Sequence, residues 1–212
     1  MLTLLTNGKF QGNDNEESIA QGGVGIAPIL HLKNQDNALV IGYGTGMTTK
    51  AIYDAKFNQI DVIDLSPDIL NLADKYFRKI NGNVRQNKNV KTYITDGRNY
   101  LHLTDKKYDL ISMEISSIWF SGASYLYNKE FYESAKTKLS KNGVLQQWVQ
   151  LHHMNPQDFL IILNTVRNQF KYVSFYYIGH QGIIVATNSI ENKDDLEENI
   201  EKLNNNKDLN TL

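Results

Sequence analysis

Residues 38–46 read ALVIGYGTG, a continuous apolar run that leads into three glycines spaced two apart. An uninterrupted run of Leu, Val and Ile is typical of a parallel strand that is buried on both faces. Glycines directly after such a strand permit a tight turn and let the backbone approach a ligand, because no Cβ stands in the way. The stretch therefore predicts a strand at 38–42 that turns into a helix at 46–56.

The same strand–helix unit repeats along the chain. Further strands are predicted at 59–65, 90–95, 108–114 and 144–151, and a final antiparallel pair, YVSFYYI and GIIVAT, surrounds Gly179. Helices are predicted from Ser66-Pro67 to Asn81-Gly82, at 98–103, at 128–139 up to a stop at Asn142-Gly143, and from Pro156 to about Phe170. Repeated βα units followed by a hairpin predict an α/β, doubly wound, Rossmann-like fold of the methyltransferase type, with a mostly parallel sheet.

Three segments are expected in the chain. Residues 1–30 should form a small β-hairpin around Asn7-Gly8 and a glycine-rich connection, since Asn-Gly between apolar runs is a strong hairpin signal. Residues 31–190 should form a Rossmann-like nucleoside-binding catalytic domain. Residues 191–212 should form a charged helical or disordered tail.

Composition excludes several classes of function. The net charge of the 212 residues is −1 and the basic residues are scattered, so nothing favours binding to nucleic acid. Cysteine is absent, which excludes disulfides and thiol catalysis. No run of about 18 apolar residues predicts a membrane span in this chain. The start lacks the pattern of a signal peptide, so a cytoplasmic location is expected.

The residues that could bind a ligand or react with it lie at the carboxyl ends of the predicted parallel strands. Four successive strands end in the glycine turn, in Asp64, in Asp96 and in Glu114. An acid at the second strand end can bind ribose hydroxyls, and an acid at the third can accept a hydrogen bond from the amine of adenine. Met47 stands where the dinucleotide pattern requires its third glycine, which argues against a nicotinamide cofactor. Glu114 remains as a group that could hold a cation and take its proton.

Each of these features also has a purely structural interpretation. Any tight turn from a strand to a helix can use glycines, and Asp64 or Asp96 can simply cap the helix that follows it. Trp119 and Phe120, which follow the fourth strand, could cover an alkyl chain or a cation, or could pack against a neighbouring element or a dimer partner. His152 and His153 point to opposite faces if the chain is extended there, so no metal site is predicted.

Six stretches in order resemble the polyamine aminopropyltransferases, the family typified by spermidine synthase. The stretches are LLTNGKFQ, Gln21 placed ten residues after Gln11, DLSPDILNLADKYF, TDGRNYL, YDLISMEISS…LYNKEFY and NGVLQQWVQLH. Together they span roughly residues 4–190. The chain looks closest to the spermidine-synthase-like domain that is often fused to a multi-pass membrane segment.

The resemblance assigns roles residue by residue. Gln21, Asp64, Asp96 and Gly97 match positions that would bind the nucleoside donor, and Gln11 is a weaker match of the same kind. The turn after the first strand, with Gly42, Gly44, Thr45 and Gly46, is also expected to bind the donor. Glu114 would be the catalytic acid, which is Asp in the family, and Ser117, Trp119 and Tyr176 would bind the acceptor. Thr45 and Ser117 depart from the pattern, because the family has amine-binding acids at both positions.

The expected function is therefore that of a spermidine synthase-like transferase. It would move an aminopropyl group from decarboxylated S-adenosylmethionine, as a co-substrate with no permanently bound cofactor, to a small-molecule amine of the polyamine class. A homodimer is expected. Two alternatives stay open: a methyltransferase that uses intact S-adenosylmethionine, which Thr45 favours, and a catalytically silent nucleoside-binding domain.

Overall fold

A seven-stranded sheet forms the centre of the computed structural model, which describes residues 1–6, 8–115, 118, 122–190 and 196–209. Its strands are β3 (Asn37–Ile41), β4 (Gln59–Asp64), β5 (Val90–Ile94), β6 (Tyr108–Met113), β7 (Leu139–Val149), β8 (Tyr172–Ile178) and β9 (Gln181–Thr187). A separate antiparallel hairpin consists of β1 (Thr3–Thr6) and β2 (Lys9–Asn13). The strand boundaries agree with the sequence prediction to within two residues everywhere except at β7.

Helices connect the strands and cover the sheet. They are α1 (Glu16–Ile26), α2 (Met47–Asp54), α3 (Pro67–Tyr76), α4 (Arg78–Asn81), α5 (Gly97–Leu103), α6 (Lys129–Lys138), α7 (Pro156–Arg167) and α8 (Leu196–Asn205), with short 3-10 turns at Ala27–His31, Val84–Gln86 and Ala123–Leu126. Ser66 caps α3 by accepting a hydrogen bond from the Ile69 N–H, and Pro67 follows it, as predicted. Within the described ranges, no helix combines the length and the apolar composition that crossing a bilayer requires.

The order of the strands in the sheet determines where a ligand cleft can lie. The order is β5-β4-β3-β6-β7-β9-β8, with the first five strands parallel and with β9 antiparallel to both β7 and β8. The chain first adds β4 and β5 on one side of β3 and then returns to add β6 on the other side. A crevice opens at such a reversal, beyond the carboxyl ends of the strands. The predicted fold class is confirmed.

The central strand β3 is buried on both faces, which explains its run of four apolar residues from Ala38 to Ile41. Along β3, Ala38 and Val40 pack into one hydrophobic cluster, whereas Leu39 and Ile41 pack into the cluster on the opposite face. Because successive side chains of a strand point to opposite faces, a strand covered on both sides must be apolar at every position.

The predicted start of β7 and the predicted role of Asn142-Gly143 as a helix stop are wrong, although the observed α6 lies within one residue of its predicted bounds. The helix ends at Lys138 and the strand begins immediately at Leu139, so Asn142-Gly143 lies inside β7 and does not stop the helix. The pairing between β6 and β7 is irregular at this point. A Cβ on Gly143 would lie 2.8 Å from the carbonyl oxygen of Tyr108, so the glycine permits a close approach of the two backbones.

The glycine-rich segment expected to be a connection is instead helix α1, which packs on α2. A Cβ on Gly25 would lie 2.7 Å from the Cβ of Ala51 in α2. The glycines therefore bring the two helix backbones close together, and the packing compensates for their weak helix propensity. The pattern was misleading because glycine usually indicates a loop.

The described part of the tail is packed against the body of the protein. Asn199 of α8 donates hydrogen bonds from Nδ2 to the carbonyl oxygens of Leu30 and Leu32, both at 3.0 Å, and Leu209 is buried in the core. The charged helix α8 is therefore not detached from the rest of the chain. The expected segment boundaries at residues 30 and 190 stay predictions.

Two alanine substitutions in α1 test the close packing of α1 on α2. Gly25→Ala should lower the free energy of unfolding by about 1–3 kcal/mol, because the added methyl meets Ala51. Gly22→Ala is the matched control: its Cβ would lie 3.5 Å from Met47 Cε, an ordinary contact, so it should raise stability by about 0.5–1 kcal/mol. Urea unfolding measures both, and equal effects of the two substitutions would contradict the packing.

Candidate active site

A cavity of about 340 Å³ opens at the carboxyl ends of β3, β4 and β6, where the strand order reverses. Six of the residues predicted from the sequence line it: Gln21, Gly42, Gly44, Asp64, Asp96 and Glu114. The hairpin of β1 and β2 forms another part of the wall through Leu4, Thr6 and Gln11, and Trp148 of β7 closes the inner side. The structure thus brings the strand-end acids to one cleft.

Asp64 connects the glycine turn to the end of β4. Its Oδ2 accepts a hydrogen bond from the backbone N–H of Tyr43 at 2.8 Å, and its Oδ1 accepts one from the N–H of Ser66 at 2.9 Å. A carboxylate has about four acceptor positions, so both oxygens can still accept from a ligand hydroxyl at the cavity. Asp64 therefore has a structural role and remains available to a ribose.

Asp96 is both a helix cap and a cavity residue. Its Oδ1 accepts a hydrogen bond from the Asn99 N–H at 3.0 Å and so caps α5. The side chain also lines the cavity. The structural interpretation and the ligand-binding one are thus compatible, because the cap occupies only one carboxylate oxygen.

Thr45 is buried and turned toward Gln21. Its hydroxyl donates to Gln21 Oε1 at 2.5 Å, and Gln21 Nε2 donates to the carbonyl oxygen of Gln11 at 3.3 Å. Thr45 itself does not line the cavity, whereas Gln21 does. A neutral amide therefore faces the cavity at this place, held in position by a threonine behind it.

Three other predicted residues do not line the cavity. A Cβ on Gly46 would lie 2.6 Å from the Tyr43 ring, and one on Gly97 would lie 2.5 Å from Ile41 Cγ2, so both glycines serve close packing. Tyr176 lies on β8, and its hydroxyl is 2.5 Å from Nε2 of His31. This placement does not support the expected contact of Gly97 with the nucleoside or of Tyr176 with the acceptor. Ser117, Trp119 and Phe120 lie outside the described residues.

Glu114 ends β6 and reaches the cavity beside α2. Its Oε2 lies 2.7 Å from the hydroxyl oxygen of Thr48, which also lies 2.8 Å from the carbonyl oxygen of Gln21. Its Oε1 is buried and has no hydrogen-bond partner among the described residues. Sequence reasoning missed Thr48, although its position in the first turn after the glycines, two residues after Gly46, places it at the switch point.

Burial changes the acidity of Glu114. Removal from water disfavours the charged form and raises the pKa of Glu114 from 4.5 to about 8, although a hydrogen bond from Thr48 to the carboxylate opposes the shift. No Lys, Arg or His is among the described residues that line the cavity, so no cation of the protein offsets the burial there. A carboxyl with a pKa near neutrality in a cleft is typical of a group that gains and loses a proton during function.

A larger, more open depression of about 840 Å³ lies away from these acids, where β8 begins. Arg167 and Lys171 contribute to it, and none of its described lining residues is Asp or Glu. In a doubly wound sheet, ligands bind beyond the carboxyl ends of the strands, so the smaller cavity is the candidate site. No cluster of three or more His, Asp or Glu suited to a metal occurs in the described part of the chain.

Fold and cavity together define a Rossmann-like domain of the methyltransferase type with acids at the tips of neighbouring parallel strands. The chain matches the Spermine/spermidine synthase domain over residues 17–180, more than half of its length, and it belongs to that family. A polyamine aminopropyltransferase of Sulfurisphaera tokodaii is 29% identical over 173 residues, which cover 81% of this chain and 57% of that protein. The chain thus spans little more than half the length of this relative.

Solved structures show the same fold. A spermidine synthase in complex with the transition state analogue AdoDATO has a TM-score of 0.87 at 16% identity, covering 97% of this chain and 72% of that one. Human methyltransferase-like protein 13 in complex with SAH has a TM-score of 0.66 at 18% identity, covering 90% of this chain and 91% of that one. At such identities the similarity concerns the fold.

The raised pKa of Glu114 predicts a pH-dependent loss of stability. Between pH 4.5 and about 8, the folded protein keeps a proton on Glu114 that the unfolded chain has released. Folding stability must therefore fall as the pH rises through this range, by roughly 4–5 kcal/mol from this residue. Glu114→Gln should remove this component, so urea unfolding at several pH values should show the two proteins diverging toward pH 8. Parallel pH dependences would contradict the burial of a neutral carboxyl.

Proposed function

We propose that the protein is a spermidine synthase-like transferase that moves an aminopropyl group from decarboxylated S-adenosylmethionine to a small amine. Membership of the family supports the reaction class. The observation that carries the proposal is the position of Glu114, which shares one cavity with Asp64 and Asp96 at the switch point of the sheet. Asp64 and Asp96 are suited to binding the adenosine, and Glu114 is then available for the reaction.

Adenosine would lie across the tips of β4 and β5. Asp64 would accept hydrogen bonds from the ribose hydroxyls, and Asp96 would accept one from the adenine amine. Gly44 has a φ of 54°, and a Cβ there would meet no heavy atom within 4 Å, so the turn leaves room for a ligand beside it.

The reaction is an in-line displacement at carbon. The amine nitrogen forms a bond to the methylene carbon next to the sulfonium, the carbon–sulfur bond breaks, and its electron pair neutralises the sulfur. The acceptor amine must lose its proton before it attacks, and the carboxylate of Glu114 is the group in the cavity placed to take it. The apolar side of the cavity, formed by Ile115, Leu126 and Trp148, suits the alkyl part of an acceptor.

A methyltransferase is the second candidate, and the Gln21–Thr45 pair favours it. Thr45 stands at the position where the resemblance places an acid that binds the donor's amine. It is bonded to Gln21, so the cavity wall here carries a neutral amide. A neutral wall neither attracts an ammonium group strongly nor repels the carboxylate of intact S-adenosylmethionine. The products formed from the two sulfonium donors therefore distinguish the two candidate functions.

Products identify the reaction. The protein is incubated with putrescine and with either decarboxylated or intact S-adenosylmethionine, and mass spectrometry identifies what forms. We expect spermidine from the decarboxylated donor, and an activity at least about 100-fold lower for Glu114→Gln, since general base catalysis contributes that much. Methylated product from the intact donor alone would establish the second candidate. No product from either donor would support a silent binding domain.

Asp64 should control adenosine binding. Asp64→Asn replaces one acceptor oxygen by an NH₂ group, which accepts no hydrogen bond and would face a backbone N–H or a ribose hydroxyl. We expect binding of 5′-methylthioadenosine to weaken by at least tenfold in calorimetry. Asp68→Asn, an exposed acid in the first turn of α3, is the matched control and should bind as the wild type does. Equal weakening in both variants would remove Asp64 from the site.

The expected homodimer and the expected cytoplasmic location stay predictions. Sedimentation of the purified chain over a range of concentrations tests the first of them.

A further inference from the structure

One hydroxyl proton serves two oxygen neighbours beside Glu114. The hydroxyl of Thr48 lies 2.8 Å from the carbonyl oxygen of Gln21 and 2.7 Å from Oε2 of Glu114, and both distances are those of O–H···O hydrogen bonds. A threonine hydroxyl carries a single proton, and a backbone carbonyl can only accept. If Glu114 were ionised, both neighbours would be acceptors and one contact would lack a proton.

A neutral Glu114 satisfies both contacts. Its carboxyl donates from Oε2 to the Thr48 oxygen, and Thr48 donates to the carbonyl oxygen of Gln21. When Glu114 loses its proton, the Thr48 hydroxyl can rotate and donate to the carboxylate. Gln21 lies inside α1, where a helix N–H serves its carbonyl, so the rotation leaves no carbonyl without a donor. Thr48 can therefore remain bonded to Glu114 in both charge states.

The charged and titratable groups around Glu114 do not favour its ionisation in the empty site. From β4 and α5 the acids Asp64 and Asp96 face the same cavity, and from the turn after β3 Tyr43 does. Tyr127 approaches from the segment before α6; its pKa is raised by burial, so it is neutral at pH 7. None of these groups is a cation, and the described lining of the cavity contains no Lys, Arg or His. The positive charge that would stabilise a carboxylate has to come from a ligand.

We propose that binding of a sulfonium donor expels the proton of Glu114 to solvent, with Thr48 as the positioning residue that holds the carboxyl group through the change of charge. The inference rests on the proposed function, because it assumes that the cavity binds an adenosyl sulfonium. The group expelled is one proton, which passes to the buffer, and no other bond changes. The base needed by the acceptor amine is then produced by the sulfonium donor itself.

The proposal implies an order of binding. Before the sulfonium arrives, the carboxyl is neutral and attracts an ammonium acceptor weakly. After it arrives, Glu114 is an anion beside the reacting carbon and can both attract the ammonium group and take its proton. The protein thereby avoids holding an uncompensated buried charge in the empty site.

Calorimetry in two buffers of different ionisation enthalpy counts the protons released on binding. The probes are decarboxylated S-adenosylmethionine, or the intact form if the product assay selects it, and 5′-methylthioadenosine, which has the same adenosine but a neutral sulfur. At pH 7 we expect the sulfonium to release nearly one proton per site, since a carboxyl with a pKa of about 8 is mostly protonated there. We expect the thioether to release almost none, and Glu114→Gln to abolish the release.

Variants of Thr48 separate a positioning role from a merely structural one. Thr48→Val keeps the shape but removes the donor to the carboxylate, so the midpoint of proton release against pH should move upward by about one unit. Thr48→Ser restores the hydroxyl and should restore the midpoint. Thr49→Val is the matched control, because Thr49 is equally buried and its hydroxyl has no partner among the described residues; its midpoint should not move.

The possible outcomes distinguish failure of this inference from failure of the proposed function. A sulfonium that binds without releasing a proton overturns the proposal and leaves the proposed function intact. Equal release with the sulfonium and the thioether also overturns it, because the proton would then come from the adenosine end of the site. If neither compound binds, the proposed function fails and this inference fails with it.

Discussion

The site depends on the carboxylate of Asp64. By accepting hydrogen bonds from the N–H groups of Tyr43 and Ser66, it fixes the glycine turn after β3 against the start of α3. The turn then directs the chain into α2, which carries Thr48, and the register of β3 with β6 places Glu114 opposite it. One side chain at a strand end thus determines the shape of the cleft and also presents its own oxygens to that cleft. Such double use is possible because a carboxylate accepts more hydrogen bonds than two N–H groups supply.

The cavity differs from a simple cation-binding site in the charge state of its acids. Its described lining contains acids and no basic side chain, and burial raises the pKa of one of these acids, Glu114, to about 8. Thr45, at the position where the resemblance places a further acid, is a neutral residue bonded to the amide of Gln21. On the proposal made above, Asp64 and Asp96 bind the adenosyl group, and Glu114 adds its negative charge only when the sulfonium has arrived. This arrangement also avoids the cost of burying an unpaired carboxylate in the empty protein.

Much of the fold follows from periodicity, because a strand that is covered on both faces, such as β3, leaves few polar positions. The 38–46 stretch alone indicates a buried strand, a turn and a helix, and the acids at the strand ends predict a common cleft. The roles of several residues depend on tertiary packing and could not be predicted from the sequence. Gly22 and Gly25 look like loop residues but lie in a helix that approaches α2 closely. Gly97 looks like a ligand residue but packs on Ile41. Thr48 has no distinctive pattern, and only the tertiary fold brings it to Glu114, 66 positions along the chain.

The account's central claim is that adenosine lies across the tips of β3, β4 and β5 beside the glycine turn. A crystal structure of the chain with 5′-methylthioadenosine tests it most directly. The account predicts ribose hydroxyls within hydrogen-bond distance of the Asp64 carboxylate and the adenine amine within that distance of Asp96. A nucleoside bound elsewhere, or bound in this cavity with both acids turned away from it, would contradict the account.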